Sequence, residues 1–402
     1  MPSTDANGST TASLLCRETR IALLSAGPPE NDEAILALWD HDLDTPKLQF
    51  IAQWERATLI LWRRLRKMLD RLPHREGTDD LQKAANVWEF KLLQLEARLM
   101  QLLDILAPAG IDTIPLKGAG LAYTVYNAFT DRPMNDLDLL IRKDQAMEAW
   151  RLAQQQKWSW DAKAFPLEKY EAHHHLPPLK DVSGSGVRVE IHTDMCLPGH
   201  PFHYSADDVW ATSRRIEAMG REFTVPSPQH QLLYCCLHFA WMHAMQDKAW
   251  LSFLDINAFS QMDDFDWDAF VDLARKSNAE TVAYWTLRLA RSLSNIRTPD
   301  DVANALKPRL PGYVLTRLER QYALNMFPTD QHCPSVWLED MLFRAGIQRG
   351  KHVVEMHEFV DPEGAPPAHA YKPNLLTRVG GHLKTWRKWA DYLRMAVFGS
   401  KA

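Results

Sequence analysis

Two short segments in the middle of the chain, MNDLDLLI at 134–141 and VRVEIHTD at 187–194, alternate apolar and polar residues with period two. Alternation of this kind is the signature of a β-strand with one buried face, because successive side chains leave a strand on opposite sides. In the first segment Asp136 and Asp138 share one face, and Leu137, Leu139 and Ile141 take the other. In the second, Arg188, Glu190 and His192 share a face opposite Val187, Val189 and Ile191. Most of the remaining apolar residues recur three and four apart, the spacing of amphipathic helices. The pattern predicts an α+β fold, with a small mixed β-sheet flanked by largely α-helical N- and C-terminal regions.

The flanks can be divided further. Residues 1 to about 12 are rich in Ser, Thr, Asn and Gly and read as a tail. Helical spacing follows through Ile35, Leu38, Phe50, Trp54, Leu59 and Leu61. After the polar break HREGTDD, a long helix through Val87, Phe90, Leu93, Leu95, Leu99, Leu102 and Leu106 is closed by Pro108 and Gly110. Within 111–194 the order is strand (IDTIPL), a helix opening on glycines (GAGLAYTVYNAF), strand, helix (KDQAMEAWRLAQQQ), a strand over YEAHHHLPPL, a turn at SGSG, and strand. From Pro226 the text is helical again, apart from a Pro-rich loop at 360–374, and it ends in LKTWRKWADYLRMAVF, a basic, Trp-containing helix. No repeat period is evident. The expected units are 1–85, 86–225 and 226–402.

Composition narrows the function classes. With 402 residues, 46% apolar and 24% charged, the chain can bury a substantial core and is unlike a disordered protein. A net charge of -5 supplies no overall attraction to nucleic acid, and no basic patch marks the middle of the chain. The five cysteines lack C-x-x-C spacing, which argues against a disulfide framework or a cysteine zinc site and suits a reducing cytoplasm. The N-terminus does not read as a secretion signal, and no stretch approaches the roughly 20 apolar residues of a membrane span.

Chemistry concentrates on the two alternating strands. Asp136 and Asp138 place two like charges in one small volume, an arrangement that favours a cation between them, and oxygen donors suit Mg²⁺ or Mn²⁺. An isolated D-x-D is more often a solvated strand edge. Glu190 on the second strand changes that balance, since three carboxylates on adjacent strands can hold two ions about 3.5–4 Å apart for phosphoryl chemistry. The segment LKGAGL at 116–121 either offers a phosphate cradle, in which Gly118 and Gly120 allow backbone N–H groups to approach, a helix N-terminus adds partial charge and Lys117 a full one, or its glycines only permit a tight strand-to-helix turn.

The order LKGAGLAYTVYNAFTDRPMNDLDLLI, then HHHLPPL, then VRVEIHTD resembles the bacterial nucleotidyltransferases of the DNA polymerase beta-like superfamily, in particular their uncharacterised group. That superfamily is marked by a Gly-Ser or Gly-Gly turn, a downstream Asp-x-Asp and a third acid on a later strand. The resemblance covers roughly residues 90 to 260. It implies a nucleotidyltransferase core in which Gly118 and Gly120 form the turn, Asp136 and Asp138 the metal pair, and Glu190 the third acid. The implied cofactor is Mg²⁺ or Mn²⁺ and the implied donor a nucleoside triphosphate. The implied reaction moves a nucleoside monophosphate to a hydroxyl of a small molecule, peptide or protein, as a tailoring step in biosynthesis. Ala119 stands where the superfamily usually has Ser or Gly, so a non-catalytic relative that binds nucleotide or a partner is the alternative.

Other residues leave two readings each. Arg132 either reaches the β or γ phosphate or pairs with Asp131 or Asp136. Arg188 is a partner of the acids or a phosphate ligand. His192 packs beside the acids or hydrogen-bonds an acceptor hydroxyl. The run His173, His174 and His175 with His192 raises zinc-dependent hydrolysis, which ranks last for want of a conspicuous fourth ligand. In the helical half Asp255 and Lys248 are secondary candidates, while His238 and His243 read as interior or rim groups beside the tryptophans.

Overall fold

A computed structural model describes residues 11–245 and 248–326. The Pro-rich segment and the basic C-terminal helix expected from the sequence lie outside the described residues. Helices α1 (Arg17–Ala26), α2 (Asp32–Leu38), α3 (Thr45–Trp54), α4 (Thr58–Leu65) and α5 (Thr78–Leu106) form the N-terminal part. The middle follows as β1 (Thr113–Pro115), α6 (Lys117–Ala122), β2 (Asp136–Ile141), α7 (Lys143–Gln155), β3 (Trp158–Ser159), β4 (Leu179–Asp181), β5 (Arg188–His192), α8 (Ala206–Thr212), β6 (Arg214–Ala218) and β7 (Arg221–Val225). Helices α9 (Pro228–Leu237), α10 (Ala249–Ser260), α11 (Trp267–Lys276), α12 (Glu280–Ser294), α13 (Asp300–Leu306) and α14 (Gly312–Asn325) complete it. The fold is α+β, as the periodicities predict, and one continuous hydrophobic core runs from Leu15 to Met326. No described helix is long and apolar enough to cross a membrane.

Among the described residues the main sheet has the order β1-β2-β5-β4-β3. Its central pair, β2 and β5, is parallel, with Asp136 opposite Arg188, Asp138 opposite Glu190 and Leu140 opposite His192. This register puts the two polar faces side by side, while Leu137, Leu139, Val189 and Ile191 are buried against the other side. Strand β1 pairs antiparallel to β2 on its other edge. A separate hairpin, β6–β7, turns through Met219 and Gly220, both with positive φ (53° and 70°), the backbone of a type I′ turn.

Three sequence expectations need adjustment. The strand expected over YEAHHHLPPL (170–179) does not form; β4 starts only at its last residue and runs Leu179–Asp181, because Pro177 and Pro178 bring no N–H to a ladder. The residues before them pair with the β5 backbone through an isolated bridge from His175 to His192 and the bond from Leu176 N to Ile191 O (2.9 Å) rather than through a ladder. In α5 the buried seam is Leu92, Leu95, Leu99, Leu102 and Leu106, whereas Val87, Phe90 and Leu93 lie on the exposed side of the same helix. Finally, the helix that opens at the glycines is only six residues long. Its left-handed residue is Lys117 (φ 46°), not a glycine. Gly118 and Gly120 serve close packing instead: a Cβ on Gly120 would stand 2.4 Å from the Pro115 carbonyl oxygen, and one on Gly118 3.1 Å from Met134 Cβ.

Candidate functional site

The polar face of β2 forms the floor of a narrow cleft between the sheet and helices α9 and α10. Lys117, Gly118, Asp136 and Asp138 line it from the sheet, and Tyr234 and Lys248 from the helical half. Asp138 is buried, and its Oδ1 accepts from Lys117 Nζ and from His192 Nε2, each at 2.9 Å. Glu190 Oε2 lies 3.6 Å from His192 Nε2 and 3.8 Å from His175 Nε2. Ligand atoms of Asp138, Glu190 and His192 fall within 4.8 Å of one another, close enough to share a metal ion. Asp136 occupies the same strand face one pair earlier and also lines the cleft.

Electrostatics divides the three acids. Burial, reinforced by Asp138 and Glu190, raises the Asp136 carboxyl above its ordinary range. Burial acts upward on Asp138 as well, but Lys117 and His192 overcome it and hold that carboxyl well below the usual range. Glu190 is held down to about 2, its burial outweighed by the hydrogen bond from His192 and by His175. His192 is raised above the ordinary imidazole value because the bonds to Asp138 and Glu190 outweigh its complete burial.

A pH prediction follows for Glu190. Its folded pKa lies below the unfolded value near 4.3, so its ionisation favours the folded state above about pH 5, and that contribution drains away as the pH falls toward 2. The Glu190 side chain is 25% exposed, which trims the expected size to about 2–3 kcal/mol. In chelator, the unfolding free energy of the wild type should therefore fall more steeply between pH 5 and 2 than that of Glu190→Gln. Parallel pH profiles would count against this electrostatic assignment.

The other sequence candidates separate clearly. Arg132 binds no acid on the sheet: its Nε and Nη2 donate to Asp255 Oδ1 and Oδ2, both at 2.7 Å, and its Nη1 donates to the Pro133 carbonyl (2.6 Å). The partners proposed from sequence, Asp131 and Asp136, are thus replaced by a carboxylate on α10. Asp131 instead accepts from Arg63 Nη1 (2.7 Å). Asp255 also accepts from Tyr126 Oη (2.6 Å), which makes this cluster a buried clamp between the loop before β2 and the helical half. Arg188 is exposed at the entrance of β5. Ala119 is buried, facing the core rather than the cleft, so the position that meets the cleft is Gly118. Lys248 Nζ lies 2.9 Å from His243 Nε2, which lies 3.3 Å from His238 Nε2. Trp250 and Phe253 are core residues.

Sequence reasoning missed Arg56, Tyr234 and Lys91. Arg56, in the turn between α3 and α4, lines the cleft from the N-terminal part. The Tyr234 hydroxyl is buried without a hydrogen-bond partner among the described residues. Lys91 Nζ donates to Asn135 Oδ1 (2.8 Å), and burial together with Arg56 lowers its pKa despite Asp136 nearby. Three of the cleft cations, Arg56, Lys117 and Lys248, have φ of 64°, 46° and 60°. That left-handed region is sparsely populated by non-glycine residues, and strain of this kind can be held in place at a functional site. No sequence pattern reveals it.

The comparisons with known proteins agree with this geometry. No curated protein and no solved structure matched the chain. A family model described as an uncharacterised nucleotidyltransferase matches residues 41–295. That range is well over half of the chain and includes every residue of the cleft from Arg56 to Asp255. The chain therefore belongs to the uncharacterised nucleotidyltransferase family.

Proposed function

We propose that this protein is a metal-dependent nucleotidyltransferase that moves a nucleoside monophosphate from a nucleoside triphosphate to a hydroxyl of a small molecule, peptide or protein. The observation that carries the reading is the juxtaposition of Asp136, Asp138 and Glu190 on adjacent parallel strands, with Asp136 and Asp138 lining one cleft together with its cations. The donor set fits Mg²⁺ or Mn²⁺: the carboxylates are crowded enough that Asp136 resists ionisation and Asp138 already draws a lysine ammonium to itself. A divalent ion held by Asp136, Asp138 and Glu190 would neutralise charge on the triphosphate and make the acceptor hydroxyl more acidic.

The chain's own residues then have definable tasks. Gly118 lets the backbone that borders the cleft pack against Met134 and Arg132, which a Cβ would crowd. Arg56, Lys117 and Lys248 supply positive charge to the triphosphate from three parts of the chain. The Tyr234 hydroxyl can donate to a phosphate or sugar oxygen. His192 fixes the Asp138 carboxylate, and the low pKa of Glu190 favours a ligand over a proton acceptor. The acceptor oxygen would attack the α-phosphorus, its proton passing to solvent, as the bond to pyrophosphate breaks. The cavity as it stands has about 50 Å³, space for an ion and a water rather than a nucleotide, so binding requires the long cationic side chains to shift.

Calorimetric titration of ATP, GTP, CTP and UTP with Mg²⁺ or Mn²⁺ tests this. One or more triphosphates should bind only with metal, and Asp136→Asn/Asp138→Asn should weaken that binding by about tenfold or more, roughly 1.4 kcal/mol. If no triphosphate binds the wild type in the presence of metal, the catalytic reading fails and the domain is a degenerate relative.

A further inference from the structure

Three consecutive residues, His173, His174 and His175, each bring a ring nitrogen within 4.8 Å of the other two. Successive side chains of an extended segment point apart, so this convergence needs a turn. His173 N donates to the Tyr170 carbonyl (3.1 Å) on one side, and Pro177 and Pro178 follow on the other. Ring centroids lie 4.2 to 4.8 Å apart within the trio, and His192 packs 5.2 Å from both His174 and His175.

The hydrogen bonds show which nitrogens are available. His175 Nδ1 stands 2.8 Å from the Leu176 carbonyl oxygen, and a carbonyl only accepts, so this nitrogen carries the hydrogen. In the neutral ring, Nε2 then presents a lone pair, and it faces Glu190 Oε2 at 3.8 Å. A lone pair opposed to a carboxylate favours a cation between the two. Among the described residues His174 Nδ1 is buried with no hydrogen-bond partner. The contact from His175 N to His173 Nδ1 is long, 3.4 Å, and giving it up lets the ring carry its hydrogen on Nδ1 and present the Nε2 lone pair.

We propose that His173, His174 and His175, with the Glu190 carboxylate at the edge, form a binding site for one divalent transition-metal ion. This site shares Glu190 with the carboxylate cluster but does not use Asp136 or Asp138. Imidazole-rich donor sets select Zn²⁺, Co²⁺ or Ni²⁺ over Mg²⁺, which prefers oxygen. Metal–nitrogen bonds of about 2.0–2.1 Å place tetrahedral ligand nitrogens roughly 3.3 Å apart, a contraction within reach of side-chain rotation. The ion would brace Glu190 on the polar face of the sheet. The proposal does not depend on nucleotidyl transfer.

The test uses the full chain without an affinity tag, stripped by chelator and titrated with Co²⁺. Binding of a single ion should give the intense visible bands of low-coordinate Co²⁺, which Zn²⁺ removes and millimolar Mg²⁺ does not. His174→Asn/His175→Asn should weaken Co²⁺ binding by at least about tenfold. Asp136→Asn/Asp138→Asn should leave the bands in place. In the wild type, Zn²⁺ should also protect His173–His175 from diethylpyrocarbonate, read by peptide mass spectrometry, which keeps the test independent of whether the variants fold. Absent bands, bands that survive the histidine double variant, bands lost with the aspartate pair, or unprotected histidines would each overturn the proposal. Triphosphate titrations report separately on the nucleotidyltransferase reading.

Discussion

Asp255→Ala should lower the unfolding free energy by about 3–5 kcal/mol. Asp255 is 1% exposed on its side chain and Arg132 is 9% exposed, so neither charge is solvated by bulk water. Removing the carboxylate leaves the guanidinium buried with only the Pro133 carbonyl, and it also strips Tyr126 of its acceptor. The penalty comes mainly from the stranded partner rather than from the strength of the pair. Arg132→Met/Asp255→Leu should accordingly be much milder than the sum of its single changes, with a coupling of about 2 kcal/mol or more. Denaturant unfolding of the four proteins measures it. A loss below about 1 kcal/mol for Asp255→Ala would mean that the clamp is not a closed ion pair in solution.

Lys117→Met should destabilise the metal-free protein by about 2–3 kcal/mol, less than Asp255→Ala because His192 remains on Asp138. Methionine keeps the length of the stem and the left-handed backbone at φ 46°, so the variant isolates the charge. In the wild type Lys117 is the counter-ion of Asp138, and an incoming divalent ion must compete with it for the same oxygen. The variant lacks that competition. Saturating Mn²⁺, at about 100 times its Kd, can return about 2.7 kcal/mol, so metal should raise the melting temperature of the variant by more than that of the wild type. Equal metal shifts in both proteins would show that the ion does not use Asp138.

The part of the site that was readable in the sequence is the part fixed by period two. Alternation assigned Asp136, Asp138, Glu190 and His192 to polar strand faces, and the parallel register then set Asp138 beside Glu190. Alternation cannot give a partner strand or its direction. The glycines of LKGAGL were noticeable, but their use in packing rather than in a positive-φ turn depends on Pro115 and Met134, which only the fold brings near. Arg132 was noticed with the wrong partners because Asp255 lies 123 residues away. Arg56 gave no signal at all, since its place in the cleft comes from a backbone conformation usually reserved for glycine or asparagine. His173–His175 were visible as a run, whereas their convergence depends on the turn that ends in two prolines.

The parallel pairing of β2 with β5 also bears on the order of folding. His192 meets Asp138 across 54 residues, and Arg132 meets Asp255 across 123. Closing such loops carries an entropic penalty before any contact forms, and topologies dominated by distant contacts fold slowly. Helices such as α5 can form from local interactions, but the carboxylates become neighbours only when the central strands are in register. The repulsion among them is therefore felt late, on a scaffold already held together by its apolar side. No short fragment assembles the cleft, and a nascent chain lacks it until synthesis has passed α10.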